Sequence, residues 1–88
     1  MLEKDKSKLL QRLRIIEGQV KGVREMVEQS TYCIDVITQT SAIKQALTTV
    51  EDMLLEKHLE TCFESQIKSG QKERVKSEIL KVYKLKRK

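Results

Sequence analysis

Residues 33–67 read CIDVITQTSAIKQALTTVEDMLLEKHLETCFESQI, a stretch of 35 residues that contains neither Gly nor Pro. One face of a helix through this stretch carries residues at spacings of 4, 3, 4, 3 and 4: Val36, Thr40, Ile43, Leu47, Val50 and Leu54. This heptad spacing predicts one long amphipathic helix. At 1.5 Å per residue it would span about 50 Å, more than the diameter of a globule of this chain length. We therefore expect its stripe to pair with a second copy of the chain.

The residues before this stretch repeat the same pattern. Spacings of 4, 3, 4, 3 and 4 connect Leu9, Leu13, Ile16, Val20, Val23 and Val27. They predict a first helix of roughly Lys4–Gln29. The cluster Ser30-Thr31-Tyr32 follows, and its hydroxyl groups can cap the next helix, so we expect the break there.

A third helix is expected near the C-terminus. Ser69-Gly70 supplies a stop signal, and Val75, Ile79 and Val82 mark a short helix before the basic tail KVYKLKRK. No linker or low-complexity stretch divides the chain, so residues 1–88 are expected to form a single domain. The fold class predicted is all-α, with a three-helix protomer in a bundle of several subunits.

The composition excludes several classes of protein. Two cysteines among 88 residues are too few for the disulfide framework of a secreted domain, and the N-terminus lacks the apolar core of a signal peptide. The longest apolar run, Met53–Leu55, is far shorter than the ~20 residues of a membrane span. We therefore expect a cytoplasmic protein with no membrane partner. A chain this short also needs a metal, disulfides or a partner subunit for stability.

The net charge of +5 is unevenly distributed. Residues 1–24 carry seven basic and three acidic side chains, residues 25–67 carry two and eight, and residues 68–88 carry nine and two. Basic ends of this kind attract polyanions such as nucleic acid, although a basic tail can also serve only to keep a protein in solution.

His58, Cys62 and Cys33 are candidate metal ligands. His58 and Cys62 are four residues apart, which places both side chains on one face of a helix, at a spacing that a single metal ion can bridge. Cys33 precedes His58 by 25 residues, so on one straight helix the two lie roughly 37 Å apart and cannot share an ion. By itself a His–Cys pair near an apolar stripe is more often a packing feature, and Cys33 taken alone is typical of a small buried hydrophobic residue.

An antiparallel pair of these helices would bring the three residues together. Cys33 of one chain falls opposite His58 and Cys62 of the other if the twofold axis crosses near Ala46 or Leu47. Symmetry then creates two identical intersubunit sites per dimer, which is one per protomer. Two thiolates and one imidazole suit Cu(I) best, and Zn(II) with a further ligand is the minor alternative.

The run Arg12–Val23, RLRIIEGQVKGV, resembles the first-helix motif of the copper-sensitive operon repressor family. The set Cys33, His58 and Cys62 is similar to the ligand pattern of the family's Cu(I)-responsive branch. The resemblance covers essentially the whole chain. It implies an antiparallel helical dimer and a dimer-of-dimers homotetramer. It also implies that the copper-free protein binds operator DNA and that Cu(I) binding releases it, which derepresses copper resistance genes.

The same resemblance implies an outer shell around the metal site, in which Tyr32 and Glu78 are the residues that match by position. A metal-bound imidazole usually donates its second ring N–H to a carboxylate or hydroxyl group, and Glu78 would in this way connect the third helix to the site. From the local pattern alone, Glu78 is a solvated residue between Lys76 and Lys81.

Binding to double-stranded operator DNA is expected to rest on phosphate contacts and DNA shape, because no short helix-turn-helix unit is visible. Arg12, Arg14 and Lys21 of the first helix would supply positive charge, and the basic C-terminal segment would extend it. Gly18 and Gly22 each cost a helix about 1 kcal/mol relative to Ala. Their presence suggests the close approach of DNA or a neighbouring subunit.

Other functions remain open from the sequence. Relatives in the same family sense persulfide, nickel or cobalt, or formaldehyde; His58 argues against the first and Cys62 against the others. Because Cys33 and Cys62 could still oxidise across an interface, persulfide or thiol-redox sensing is the main alternative. A structural helical oligomer without DNA function is a further one. An enzyme is not expected, since no catalytic arrangement is apparent.

Overall fold

The structure is a computed structural model that describes residues 3–60 and 67–87. Its elements in chain order are α1 (Glu3–Glu28), α2 (Cys33–His58) and α3 (Lys72–Arg87). The described residues contain no strand. The predicted all-α class is therefore confirmed, and α1 matches the predicted first helix to within a residue at each end.

A left-handed residue ends α1. Ser30 has a φ of 56°, a conformation in which an L side chain crowds the backbone. The Ser30 N–H donates to the Val27 carbonyl (3.0 Å) and the Thr31 N–H donates to the Met26 carbonyl (2.9 Å). This pair of hydrogen bonds is the Schellman arrangement, which satisfies carbonyl groups that the end of a helix leaves unpaired. The predicted break is confirmed.

Backbone groups also start α2. The Tyr32 carbonyl accepts hydrogen bonds from the N–H groups of Asp35 (3.0 Å) and Val36 (3.2 Å). Tyr32 is thus the residue whose carbonyl accepts the first bond of the helix, and Cys33 is the first helical residue. The start of α2 agrees with the sequence prediction.

The chain divides into two compact units, Met1–Leu54 and Leu55–Lys88, with the boundary inside α2. The prediction of one domain over residues 1–88 stays a prediction. In the first unit, Leu9 and Ile16 of α1 and Ile43 and Val50 of α2 form the buried core. Four partly buried residues pack against it, namely Leu13, Val23, Ala46 and Met53. The short connection makes α1 and α2 an antiparallel hairpin.

Only one edge of each predicted stripe is buried inside this hairpin. Buried residues recur every seven positions, at Leu9 and Ile16 and at Ile43 and Val50. Of the interleaved members, Leu13 and Thr40 are half-buried, and four are 41–61% exposed: Val20, Val27, Leu47 and Leu54. The two edges diverge because positions three or four apart differ by about 50° around a helix of 3.6 residues per turn. The exposed edge remains available for contacts with another chain.

The prediction ran α2 to about Ile67; residues 61–66 lie outside the described residues, so that part stays a prediction, and Ile67 itself is helical. Regular α-helix ends at His58, and Leu59 and Glu60 form a wider π-helical turn. The Lys57 Nζ pairs with the Glu60 Oε2 across this turn (3.2 Å). Twenty-six residues of α2 correspond to about 39 Å. Cys62 lies outside the described residues.

The predicted stop at Ser69-Gly70 is confirmed. Gly70 has a φ of 80°, and its N–H donates to the Ile67 carbonyl (3.1 Å). Glycine suits this position because it carries no Cβ to clash in the left-handed conformation. The Val75 N–H then donates to the Gln71 carbonyl (2.9 Å), which begins α3.

The third helix is longer than predicted. It does not stop before the basic tail but continues through residues 81–87 to Arg87. Lys, Leu and Arg are all good helix formers, and basic residues in the last turn interact favourably with the helix dipole. Residues 81–87 are therefore helical and not an irregular tail. None of the described helices is long and apolar enough to cross a membrane.

We expect Ser30→Gly to raise the free energy of unfolding by up to about 1 kcal/mol, because glycine adopts the positive φ of Ser30 without a Cβ clash. Gly70→Ala is the matched opposite change and should lower the free energy of unfolding by about 1 kcal/mol, because alanine is strained at a positive φ. An added Cβ at Gly70 meets nothing within 4 Å, so a clash with another side chain does not contribute. Urea unfolding followed by circular dichroism measures both. Equal stability of all three proteins would contradict this account of the two turns.

Candidate metal and DNA sites

His58 and Glu78 come together in the second unit. His58 is the last residue of α2, and its side chain is 36% exposed. Glu78 lies in the second turn of α3, and its side chain is 39% exposed. The His58 Nε2 is 4.0 Å from the Glu78 Oε2. The sequence resemblance implied this proximity, whereas the local charge pattern had suggested a solvated Glu78.

Arg74 is the second partner of the same carboxylate. Its Nε donates a hydrogen bond of 3.0 Å to the Glu78 Oε1. The two residues are four apart on α3, a spacing at which side chains of opposite charge meet. Sequence reasoning missed Arg74, although this spacing was a signal that could have found it. Glu78 thus lies between an imidazole and a guanidinium group, with one oxygen toward each.

The imidazole has a defined orientation relative to Glu78. Because Nε2 is the ring nitrogen nearest the carboxylate, Nδ1 is the nitrogen available to a metal ion. A carboxylate behind a coordinating imidazole is the usual outer-shell arrangement in metal proteins. The residue types of this pair therefore fit a metal ligand with its supporting acceptor, at a separation of 4.0 Å that is longer than a hydrogen bond.

Cys33 and Tyr32 lie elsewhere. Cys33 is a free, exposed cysteine at the first position of α2, and the preceding Tyr32 is also exposed. His58 ends the same helix. An uninterrupted helix keeps its two ends apart, so the side chains of Cys33 and His58 in one chain cannot hold one ion.

The predicted ligand set is not assembled within the described part of the chain. Among residues 3–60 and 67–87, no three His, Cys, Asp or Glu side chains cluster as a metal site requires. Cys62, the third predicted ligand, falls among the residues that the structure does not describe. Of the predicted metal-site residues, the structure brings together His58 and Glu78.

The predicted DNA-binding residues Arg12, Arg14 and Lys21 are all exposed on α1. Arg12 also lines a shallow surface groove with Lys8 and with Met53 of α2. An added Cβ at Gly18 or Gly22 meets nothing within 4 Å. Packing inside the described chain therefore does not require glycine at either position. The expected approach of DNA or a neighbouring subunit stays a prediction.

A second basic surface follows from the helical conformation of the C-terminal segment. Lys76, Lys81 and Lys84 line a groove on α3 together with Glu73, Ser77 and Leu80. Near the end of the helix, the Arg87 guanidinium lies 5.4 Å from the centre of the Tyr83 ring, within the range of a cation–π interaction. These cations project from a rigid helix, where sequence analysis had expected a tail.

Comparison with known proteins places this geometry in a family. A family described as metal-sensitive transcriptional repressor matches residues 5–85. The copper-sensing transcriptional repressor CsoR of Bacillus subtilis (strain 168) is 44% identical over 81 residues, covering 92% of this chain and 80% of that protein. The copper-sensing transcriptional repressor RicR of Mycobacterium tuberculosis (strain ATCC 25618 / H37Rv) is 45% identical over 65 residues, covering 74% and 68%.

A solved structure has the same fold. The crystal structure of the copper-sensing repressor CsoR with Cu(I) from Geobacillus thermodenitrificans NG80-2 matches with a TM-score of 0.90 at 40% sequence identity. The match covers 100% of this chain and 92% of that one. On the extent of the family match and the identity to its relatives, this protein belongs to the metal-sensitive transcriptional repressors.

Proposed function

We propose that the protein is a Cu(I)-responsive transcriptional repressor, which binds operator DNA when copper-free and leaves it on binding Cu(I), so that copper resistance genes are expressed. The observation that carries this proposal is the placement of His58 Nε2 beside the Glu78 carboxylate, in a chain similar to copper-sensing repressors. Those relatives are regulators, which agrees with the expectation that this chain is not an enzyme.

The metal ligands in this proposal are Cys33 of one protomer and His58 with Cys62 of another. The ends of α2 cannot meet in one chain, and an antiparallel dimer joins them with an axis near Ala46 or Leu47. The side chain of Leu47 is exposed within the chain, as an interface position requires. Symmetry gives one copper ion per protomer at intersubunit sites, in a homodimer that pairs into a homotetramer.

Each residue has a distinct task. The two cysteines supply soft thiolates, and His58 supplies Nδ1 as the third ligand. The Glu78 carboxylate, 4.0 Å from the His58 Nε2, attracts the proton on that nitrogen and thereby favours this ring orientation, and Tyr32 lies next to Cys33 as a second outer-shell residue. When bound, Cu(I) supplies the coordination bonds that join the two chains at this point.

The DNA-binding residues are Arg12, Arg14 and Lys21, with the basic face of α3 as an extension. All lie on helices, which supports contacts with the phosphate backbone at fixed spacing. A repressor acts where the DNA is, so we place the protein in the bacterial cytoplasm. Copper must favour one of two states to release DNA, since a ligand with equal affinity for both shifts nothing. We assign this coupling to Glu78, which connects the ligand His58 to α3.

Anaerobic Cu(I) titration tests the ligand set. The reduced protein is bound to a DNA fragment selected from a random pool by the copper-free protein. We expect one copper per chain and release of the DNA. Cys33→Ser should weaken copper binding more than about 100-fold, because losing a ligand costs more than the 10- to 100-fold typical of losing an outer-shell residue. Copper should then no longer release the DNA. The exposed Ser7→Ala is the control. Release by persulfide but not by copper would contradict the proposal and favour thiol sensing.

Replacement of Glu78 tests the coupling. Glu78→Ala should retain one copper per chain with an affinity about 10-fold lower, because the ligands remain while the outer-shell acceptor is lost. Copper should then weaken the DNA affinity of this variant by less than about 5-fold. That factor is the low end of the change in affinity that one ligand typically causes in the binding of another. DNA affinity measured with and without copper checks this. Glu73→Ala, five residues earlier on α3, is the control. If copper released the Glu78→Ala variant from DNA as fully as wild type, Glu78 would have no part in the coupling.

Salt dependence tests the DNA surface. Arg14→Ala combined with Lys21→Ala should weaken DNA binding and reduce the slope of log affinity against log salt by about 2, since each phosphate contact contributes about 0.9. Fluorescence anisotropy at several salt concentrations measures the slope. Arg24→Ala is the matched control, because the Arg24 charge already pairs with Glu28 at 3.6 Å. An unchanged slope in the double variant would exclude these residues as phosphate contacts.

A further inference from the structure

The Glu78 carboxylate divides its two oxygens between two partners. Oε1 accepts a hydrogen bond from the Arg74 Nε at 3.0 Å, and Oε2 lies 4.0 Å from the His58 Nε2. Because the contacts use different oxygens, Arg74 and His58 do not compete for the same atom. The guanidinium on one side therefore determines which oxygen is presented to the imidazole on the other.

The side chain of Glu78 needs such an anchor. A glutamate has three rotatable bonds, and at 39% exposure neighbouring atoms restrain this one only in part. A guanidinium is planar, permanently charged and directional in its hydrogen bonds, so it orients a carboxylate better than an ammonium group does. Arg74 is itself 66% exposed, which means that its removal takes little from the packing of the chain.

We propose that Arg74 is a positioning residue of the metal site, which acts through Glu78 by holding its carboxylate so that Oε2 faces the His58 Nε2. The consequence in the metal-free protein is a bias of the His58 ring toward the tautomer with its proton on Nε2. That tautomer leaves Nδ1 unprotonated for the metal. This inference rests on the proposed function, in which His58 is a ligand.

The chain contains a matched control for this proposal. Arg24 and Glu28 on α1 form another pair four residues apart, with an Nε–Oε1 distance of 3.6 Å and side chains that are 67% and 65% exposed. The Arg24 and Arg74 pairs share spacing, residue types and donor atom. Only the Arg74 pair has a histidine beside its carboxylate. Changes specific to Arg74 therefore report on the connection to His58 and not on the loss of a surface ion pair.

The first test measures the imidazole without metal. Nitrogen-15 NMR of the metal-free protein, at a pH where His58 is neutral, gives its tautomer ratio. We expect Arg74→Gln to lower the share of the Nε2–H tautomer, Arg74→Lys to restore part of it, and Arg24→Gln to leave it unchanged. An equal ratio in wild type and Arg74→Gln would overturn the proposal, as would an equal shift in Arg24→Gln.

The second test is a double-mutant cycle on Cu(I) affinity, measured by competition with a chelator. Arg74→Gln should weaken binding about threefold, less than the 10- to 100-fold typical of losing an outer-shell partner itself. In a Glu78→Gln background the same change should have no further effect. A threefold loss in both backgrounds would show that Arg74 does not act through Glu78. Failure of wild type to bind copper would refute the proposed function, whereas the NMR experiment would still decide the role of Arg74.

Discussion

A single uninterrupted α-helix cannot bring its own ends together, and this constraint governs the whole protein. Cys33 begins α2 and His58 ends it, with 26 helical residues from one to the other. Any site that uses both side chains must therefore take them from different chains. In the proposed intersubunit site, ligand binding and subunit association would be one process, because the ion would contribute free energy only in the assembled state.

The hydrophobic surfaces agree with that constraint. In the described residues the core consists of five buried side chains, four of them in the hairpin of α1 and α2. A core of this size stabilises a small domain only modestly. The other edge of each stripe, at positions such as Val20 and Leu47, remains exposed. These exposed apolar side chains favour the proposed homo-oligomer, because burying them against further copies of the chain would add stability.

In the second unit a small electrostatic network connects the end of α2 to α3. Glu78 is held by Arg74 within α3 and lies beside His58 at the end of α2. A change in the charge or proton position of the His58 imidazole would therefore alter its electrostatic interaction with Glu78 of α3. The same helix carries lysines of the C-terminal segment, because α3 continues to Arg87. Copper and DNA would thus meet on one helix.

Much of this could be predicted from the sequence. Heptad spacing and the turn residues predicted three helices with nearly correct starts, since both signals are local, and the residue types at Cys33, His58 and Cys62 indicated a soft metal. Two further features have local signals that were missed: the helical tail follows from its helix-forming residues, and the Arg74–Glu78 pair from a spacing of four on one helix. The residue pattern by itself could not show which edge of a stripe is buried or that Glu78 of α3 lies beside His58 of α2. Those two features depend on how helices pack and which side chains then meet, and a spacing along one helix does not specify its neighbours.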